Sequence, residues 1–333
     1  MAGKVVNLYG LEQELNPIVP LSEITILKDE LDQKKLKEIS ERYQSGWILK
    51  DQKEWVLSSQ SSKPELPFDI KGTMAQFISY SVGCMMGRYS LDKEGLILAN
   101  AGDSIEQYSE IVGKQITDLT FEPDDDAIIP VLDDEWFEDD IVGRFYAFLK
   151  ASFGERDFAK NLQYLEQQIG KDIRKYFVKD FYKDHIKRYK KRPIYWMLPS
   201  PKVHFRVLVY LHRYTPDTLN NILNDYLRDF IQKLEAQKQH YQQLQETGSA
   251  SEQTRAIKEI DKLDKMILDC QEYERDILYP LATERIAIDL DDGVLVNYNK
   301  FGKAVELVKG LNDTKAKKKV RGFDWIDVEE IRD

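Results

Sequence analysis

The sequence predicts an α+β fold that is predominantly helical, with short β-hairpins and a long αα-hairpin. Three observations carry this. Apolar residues recur at helical spacing through most of the segments from 137 to 277. Two short apolar runs, Ile194–Leu198 and Phe205–Leu211, flank Pro199-Ser200-Pro201-Lys202. Gly248-Ser249-Ala250-Ser251 interrupts an otherwise continuous helical pattern.

The elements follow in order. Leu8–Glu41 is charged and compatible with helix, and Trp47-Ile48-Leu49 and Trp55-Val56-Leu57 read as two short strands. The Ser- and Pro-rich run Ser58–Pro67 reads as a linker. Met74–Met86 is apolar on most sides, as a buried helix ending near Gly87 would be. Asp133 or Asp134 is expected to cap a helix through Phe137, Ile141, Phe145 and Phe148, with Glu135, Glu138 and Asp139 in its first turns. A second helix through Phe158, Leu162, Leu165 and Ile169 stops at Gly170.

A third helix carries lysines at 171, 175, 179, 183, 187 and 191, each step drifting about 40° around the axis. Pro193 limits it. The strand pair 194–198 and 205–211 follows. The αα-hairpin then runs from Asp217 to Tyr279, with each arm reaching about 40 Å. The alternating run Ile286–Tyr298 around Asp291-Asp292-Gly293 is expected to form a second β-hairpin, ahead of a basic KAKKK segment and the terminal FDWIDVEEIRD. The expected domains are residues 1–63 as a small N-terminal subdomain, 64–216 as a helical and β core, 217–281 as the helical hairpin, and 282–333 as a C-terminal β-hairpin and tail.

At 333 residues the chain can bury sizeable cores without staples. Its two cysteines, Cys84 and Cys270, lie far apart with no CxxC and no Cys/His cluster, which argues against a disulfide framework or a zinc site. No apolar run reaches the roughly 18 residues of a membrane helix and the N-terminus lacks a signal-peptide pattern, so the expected location is cytoplasmic.

Charge is the most informative property. The net charge is −10, yet Lys171–Arg213 holds thirteen Lys or Arg, three of the four His and nine aromatic residues against three acids. Asp118–Asp140 holds eleven acids and no Lys or Arg. A polyanion responds to the field within about 8 to 10 Å rather than to the total charge, so the basic segment can bind nucleic acid in an acidic chain. The candidate DNA-contacting residues are Lys183, Lys187, Arg188, Lys190, Lys191, Arg192, Lys202, Arg206 and Arg213. The competing structural explanation is a solvated face laced by the helical ion pairs Asp180–Lys183, Asp184–Lys187 and Asp184–Arg188. Tyr195, Trp196 and Tyr210 lie in continuous apolar strands and are expected in the core.

Other chemistry is weaker. Asp289, Asp291 and Asp292 could hold a divalent cation, but acids around Asp-Gly suit a tight turn better. His185, His204 and His212 have no obvious carboxylate to orient them. The expected site set therefore contains no catalytic, cofactor or metal residues.

The wording of three segments adds a resemblance. SVGCMMGRYSLDKEGLILANAG (81–102), GKDIRKYFVKDFYKDHIKRYKKRPIYWMLPSPK (170–202) and IAIDLDDGVLVNYNKFGKA (286–304) resemble, in order, the C-terminal part of BREX phage-defence adenine-specific DNA methyltransferases, the PglX family. The likeness runs from about Leu8 to Gly310, while Lys28–Lys63 departs from the pattern. It implies S-adenosylmethionine as cofactor of full-length members and double-stranded DNA as substrate. It also implies the methyltransferase catalytic region and other BREX proteins as partners. The methylating motifs are not in this sequence: the single Asn-Pro, Asn16-Pro17, is followed by Ile18 and Val19 instead of Pro-Tyr or Pro-Phe. No cofactor is therefore expected in this chain. The expected role is non-catalytic DNA binding that supports target recognition, the alternative being a scaffold that docks other BREX components or DNA-mimicking proteins.

Overall fold

The computed structural model describes residues 31, 32, 34, 35, 47–50, 54–57 and 68–333. The chain divides into two compact units, Met1–Phe77 and Ile78–Asp333. The expected linker Ser58–Pro67 and nearly all of the expected helix Leu8–Glu41 lie outside the described residues.

In the first unit, β1 (Trp47–Lys50) and β2 (Glu54–Leu57) pair antiparallel, with Trp47 opposite Leu57 and Lys50 opposite Glu54. The two strands expected from Trp47-Ile48-Leu49 and Trp55-Val56-Leu57 are thus present. Leu31 and Phe68 form an isolated antiparallel bridge. Helix α1 (Ile70–Met85) begins here and continues into the second unit, where Ile78, Val82, Cys84 and Met85 are buried. It stops just before Gly87, whose φ of 76° reverses the chain where a side chain would be strained. Burial pushes the Cys84 thiol up to about 12, which leaves it a neutral core group.

The second unit is built around a three-stranded antiparallel sheet. Helix α2 (Ile105–Val112) precedes it, and β3 (Ile128–Pro130) forms its first strand. Helix α3 (Ile141–Phe153) and α4 (Phe158–Ile169) follow, the latter ended by Gly170 in the left-handed conformation as expected. Next come α5 (Ile173–Tyr176), a π-helical turn at Phe177–Phe181, and α6 (Tyr182–Arg188). Strands β4 (Tyr195–Pro199) and β5 (Arg206–Tyr210) complete the sheet in the order β3-β5-β4. The expected hairpin is β4–β5, with Tyr195 opposite Tyr210 and Pro199 opposite Arg206. Strand β3 was not expected. It is three buried residues directly after an acidic run, too short to show a period, and Pro130 is tolerated because β3 is an edge strand.

Trp196, Tyr195 and Tyr210 are fully buried with Phe145, Phe177, Phe205 and Phe230, so they are core aromatics as the apolar strands predicted. His185 belongs to this core as well. Its ring stacks with Phe181 and Tyr195, and Nε2 accepts the Tyr195 N–H at 3.2 Å, tying α6 to β4. Burial, helped by Arg188 and Arg88, lowers its pKa to about 3, so it is neutral and structural.

The αα-hairpin is present. α7 (Thr218–Asn221) and a π-helical stretch lead into α8 (Arg228–Thr247), which returns as α9 (Ala250–Tyr273). Ser249 and Glu252 form a capping box at the tip. The buried residues of α8 end at Leu234, so its distal part is not covered by the body.

Two expectations are corrected. The helix after the acidic run starts at Ile141, capped by Asp140 instead of Asp133 or Asp134, and Phe137, Glu135, Glu138 and Asp139 precede it. Asp140 prevails because its carboxylate accepts the Val142 and Gly143 amides and also a bidentate Arg174, a partner invisible to local pattern. The second correction concerns Ile286–Tyr298, which is not a β-hairpin. After α10 (Tyr279–Glu284), the segment makes a turn and then α11 (Gly293–Asn299), followed by α12 (Thr314–Val320). Asp289 accepts the Asp291 N–H, while Asn297 Nδ2 donates to the Asp289 and Gly293 carbonyls. These side-chain bonds favour a turn and helix over a ladder. The short alternating run misled because Val294 and Tyr298 are also four apart.

The acidic segment is largely a packed structure. Tyr226, in the π-helical stretch, places its hydroxyl 3.1 Å from Asp126 Oδ2 and 3.1 Å from Asp139 Oδ2, docking the hairpin on two carboxyls. One hydroxyl proton cannot satisfy both. Burial first, and then neighbouring Asp124, push the Asp126 pKa up to about 8. A folded-state pKa above the unfolded value contributes stability that is full below about pH 4 and is lost as pH rises through about 8. Asp126→Asn should therefore raise the melting temperature more at pH 8 than at pH 5. Equal shifts at the two pH values would show that Asp126 is already ionised in the fold.

Candidate nucleic-acid interface

The basic segment does not form one lysine row. The π-helical turn at Phe177–Phe181 adds a residue to the helix and resets the register, so the row expected from four-residue spacing is broken. The ion pairs proposed to neutralise it are also not formed. Asp180 pairs with Lys171, and Asp184 accepts the Tyr176 hydroxyl at 2.7 Å, leaving Lys183, Lys187 and Arg188 without an ion-pair partner among the described residues.

The nine candidate residues fall into distinct places. Lys187, Arg188, Lys190, Lys191 and Arg192 are exposed together at the end of α6 and in the turn that follows, and none is ion-paired among the described residues. Lys183 lies elsewhere, at a cavity shared with Arg206 and Glu306. Burial raises the Glu306 carboxyl above its ordinary range, and Arg206 and Lys183 pull against it. Arg206 itself donates to the Val131 and Val178 carbonyls at 2.7 Å each, holding the sheet to the preceding helix. Arg213 is only 7% exposed and donates to the Asp124 and Asp125 carbonyls, so it holds the acidic loop and is not available to a phosphate. Lys202 is exposed at the β4–β5 turn.

That turn shows what the sequence hid about the histidines. Asp269 of α9 is completely buried and accepts from Ser200 Oγ at 2.6 Å and from the Lys202 N–H at 2.9 Å, and its Oδ2 lies 3.0 Å from His204 Nδ1. A carboxylate orienter for His204 does exist, 65 residues away. The carboxylate lies between the serine and the histidine, so it pins the turn and does not make a nucleophile–base relay.

Sequence reasoning also left out the second basic segment. Lys309 and the α12 lysines Lys315, Lys318 and Lys319 are exposed and carry no ion pair among the described residues. The KAKKK run was legible as positive charge. Its relation to the Lys190–Arg192 turn was not, because it depends on Gly310 and Leu311, just ahead of α12, lining the same cavity as Lys190, Lys191 and Arg192.

The geometry is that of a helical α+β module presenting an unneutralised cationic turn, the feature by which a protein engages a polyanion. Over 253 residues, 72% of its length, the chain is 40% identical to an adenine-specific methyltransferase BrxX from Escherichia coli O9:H4 (strain HS). Over 307 residues, 89% of its length, it is 32% identical to an adenine-specific methyltransferase PglX from Lacticaseibacillus casei (strain Zhang). The chain is a homologue of a segment of these BREX adenine-specific methyltransferases. It spans about a fifth of their length, 21% of each. No protein-family model matches it. Among the described residues, no helix is long and apolar enough to cross a membrane.

Proposed function

We propose that this chain is a non-catalytic, C-terminal DNA-engaging region of a BREX adenine-specific methyltransferase, holding duplex DNA for a methylating region elsewhere. The observation that carries this reading is the exposed group Lys187, Arg188, Lys190, Lys191 and Arg192, which has no carboxylate partner among the described residues. Unpaired charges held together on a folded surface attract phosphates and release their counterions. Homology to adenine-specific methyltransferases supports DNA as the polyanion. Of the candidates, Lys187, Arg188, Lys190, Lys191 and Arg192 form the contact; Lys202 lies at the other end of β4, and Arg206 and Arg213 donate to backbone carbonyls elsewhere.

A protein-docking role is the second reading, favoured by Ile257 and Leu268 of α9, which are 53% and 49% exposed. Eleven residues apart, they lie within about 20° of one another around the helix. Titrating the chain with a mixed-sequence duplex at 50 and 200 mM salt separates the readings. Phosphate contact is expected to give binding that weakens by about tenfold or more across that range. No binding at 50 mM salt would remove the DNA reading and leave the docking surface.

A further inference from the structure

After α6 the chain turns through Lys190 and Lys191, both in the left-handed region with φ of 50° and 62°. The Lys191 N–H donates to the Ile186 carbonyl at 2.8 Å and the Lys190 N–H to the Lys187 carbonyl at 3.1 Å, the bonding of a helix stop that usually employs glycine. Two consecutive lysines there keep a conformation that glycine adopts at lower cost. Backbone strain of this kind is retained where the side chains are needed.

The side chains have a place to act. Lys190, Lys191 and Arg192 line a cavity of about 630 Å³ whose other walls are Gly293, Val294, Leu295, Gly310 and Leu311. The Lys191 ammonium passes so close to Gly310 that a Cβ there would lie 3.3 Å from Nζ. Asp313 Oδ2 accepts the Gly310 N–H and its Oδ1 caps α12, so that carboxylate is engaged by backbone amides. Asp292, at the start of α11, lies 3.7 Å from Lys300. Leu295 in the cavity wall packs against the cluster of Val296, Val320 and Ile331, to which α12 contributes Val320. Five residues separate Gly310 from Lys315, a reach of at most about 18 Å. That reach spans a few successive phosphates of one strand.

We propose that Lys190, Lys191 and Arg192 and, across Gly310, Lys315, Lys318 and Lys319 form one cleft that holds successive phosphates of a single DNA strand, an inference that rests on the DNA-contact reading above. The two basic segments, more than a hundred residues apart in sequence, act as one site. Their contribution is to affinity and positioning, because phosphates carry no base identity.

The test compares the parent chain with K190G/K191G and with K315A/K318A/K319A, each titrated with a 30-base-pair duplex over a series of salt concentrations and melted without DNA. The glycine variant is expected to melt no lower than the parent while its salt slope falls by about 1.8, and the α12 variant's slope should fall by about 2.7. A parent that binds steeply with salt while the α12 variant alone keeps its slope would overturn the cleft and leave the DNA-contact reading of the turn standing, whereas a glycine variant that keeps its slope would overturn both. A parent that does not bind overturns both. A glycine variant that melts well below the parent would also overturn the cleft, since the lysines would then serve the fold.

Discussion

Replacing Lys190, Lys191 and Arg192 by alanine is expected to weaken binding to unrelated duplexes alike, by about a hundredfold at 0.1 M salt. Each residue that neutralises one phosphate contributes about 0.9 to the salt slope, so loss of three should flatten it by about 2.7. Sequence preference should change much less than affinity, because these residues meet the backbone and not the base edges. The three side chains are exposed, so the far-ultraviolet spectrum and melting of the variant should stay close to those of the parent. A folded variant with the parent's affinity and slope would remove the turn from the interface and shift the favoured role to protein docking through α9.

Asp269→Ala is expected to be the most damaging single change in the body, at about 3–5 kcal/mol. The carboxylate is fully buried, and its loss strands the Ser200 hydroxyl and the Lys202 amide, both of which donate to it, together with the His204 ring beside it. It also uncouples the β4–β5 turn from α9. A loss of that size is a large share of an ordinary domain's total stability. His204→Ala, at a half-buried ring, should cost far less, about 1 kcal/mol. Chemical denaturation of both variants checks the pair. Equal and small losses would show that the buried carboxylate is not what holds the turn.

Much of the fold was legible because local rules and tertiary packing agreed. The β4–β5 hairpin was marked by apolar runs around Pro199-Ser200-Pro201, and the long helical pair by its period and by the break at Gly248. Gly170 ended its helix where expected, since a left-handed residue is needed there. Failures came where a distant partner decided between local options. Asp140 took the cap from Asp133 and Asp134 because Arg174, 34 residues on, fixes its carboxylate. Residues 293–299 became a helix because Asn297 and Asn299 bond to backbone carbonyls within the segment and, for Asn299, also to Leu311. The three-residue strand β3 exists because β5 offers it an edge.

For the candidate site, the sequence by itself determined where positive charge is concentrated, that Tyr195, Trp196 and Tyr210 are core groups, and which methyltransferases the chain resembles. Those are properties of residue type and order. Tertiary structure alone decided which charges are free to act. Arg206 and Arg213 look like Arg188 and Arg192 in the sequence, yet they spend their donors on the backbone carbonyls of Val131, Val178, Asp124 and Asp125. Asp180 and Asp184 stand at the spacing of helical ion pairs, yet they engage Lys171 and Tyr176 and leave the end of α6 positive. Gly310, four residues before α12, lies against the Lys191 side chain, a contact no spacing along the chain can express. A charge is a property of the residue, but its availability depends on which donors and acceptors lie within about 4 Å, and that is set only when the chain has folded.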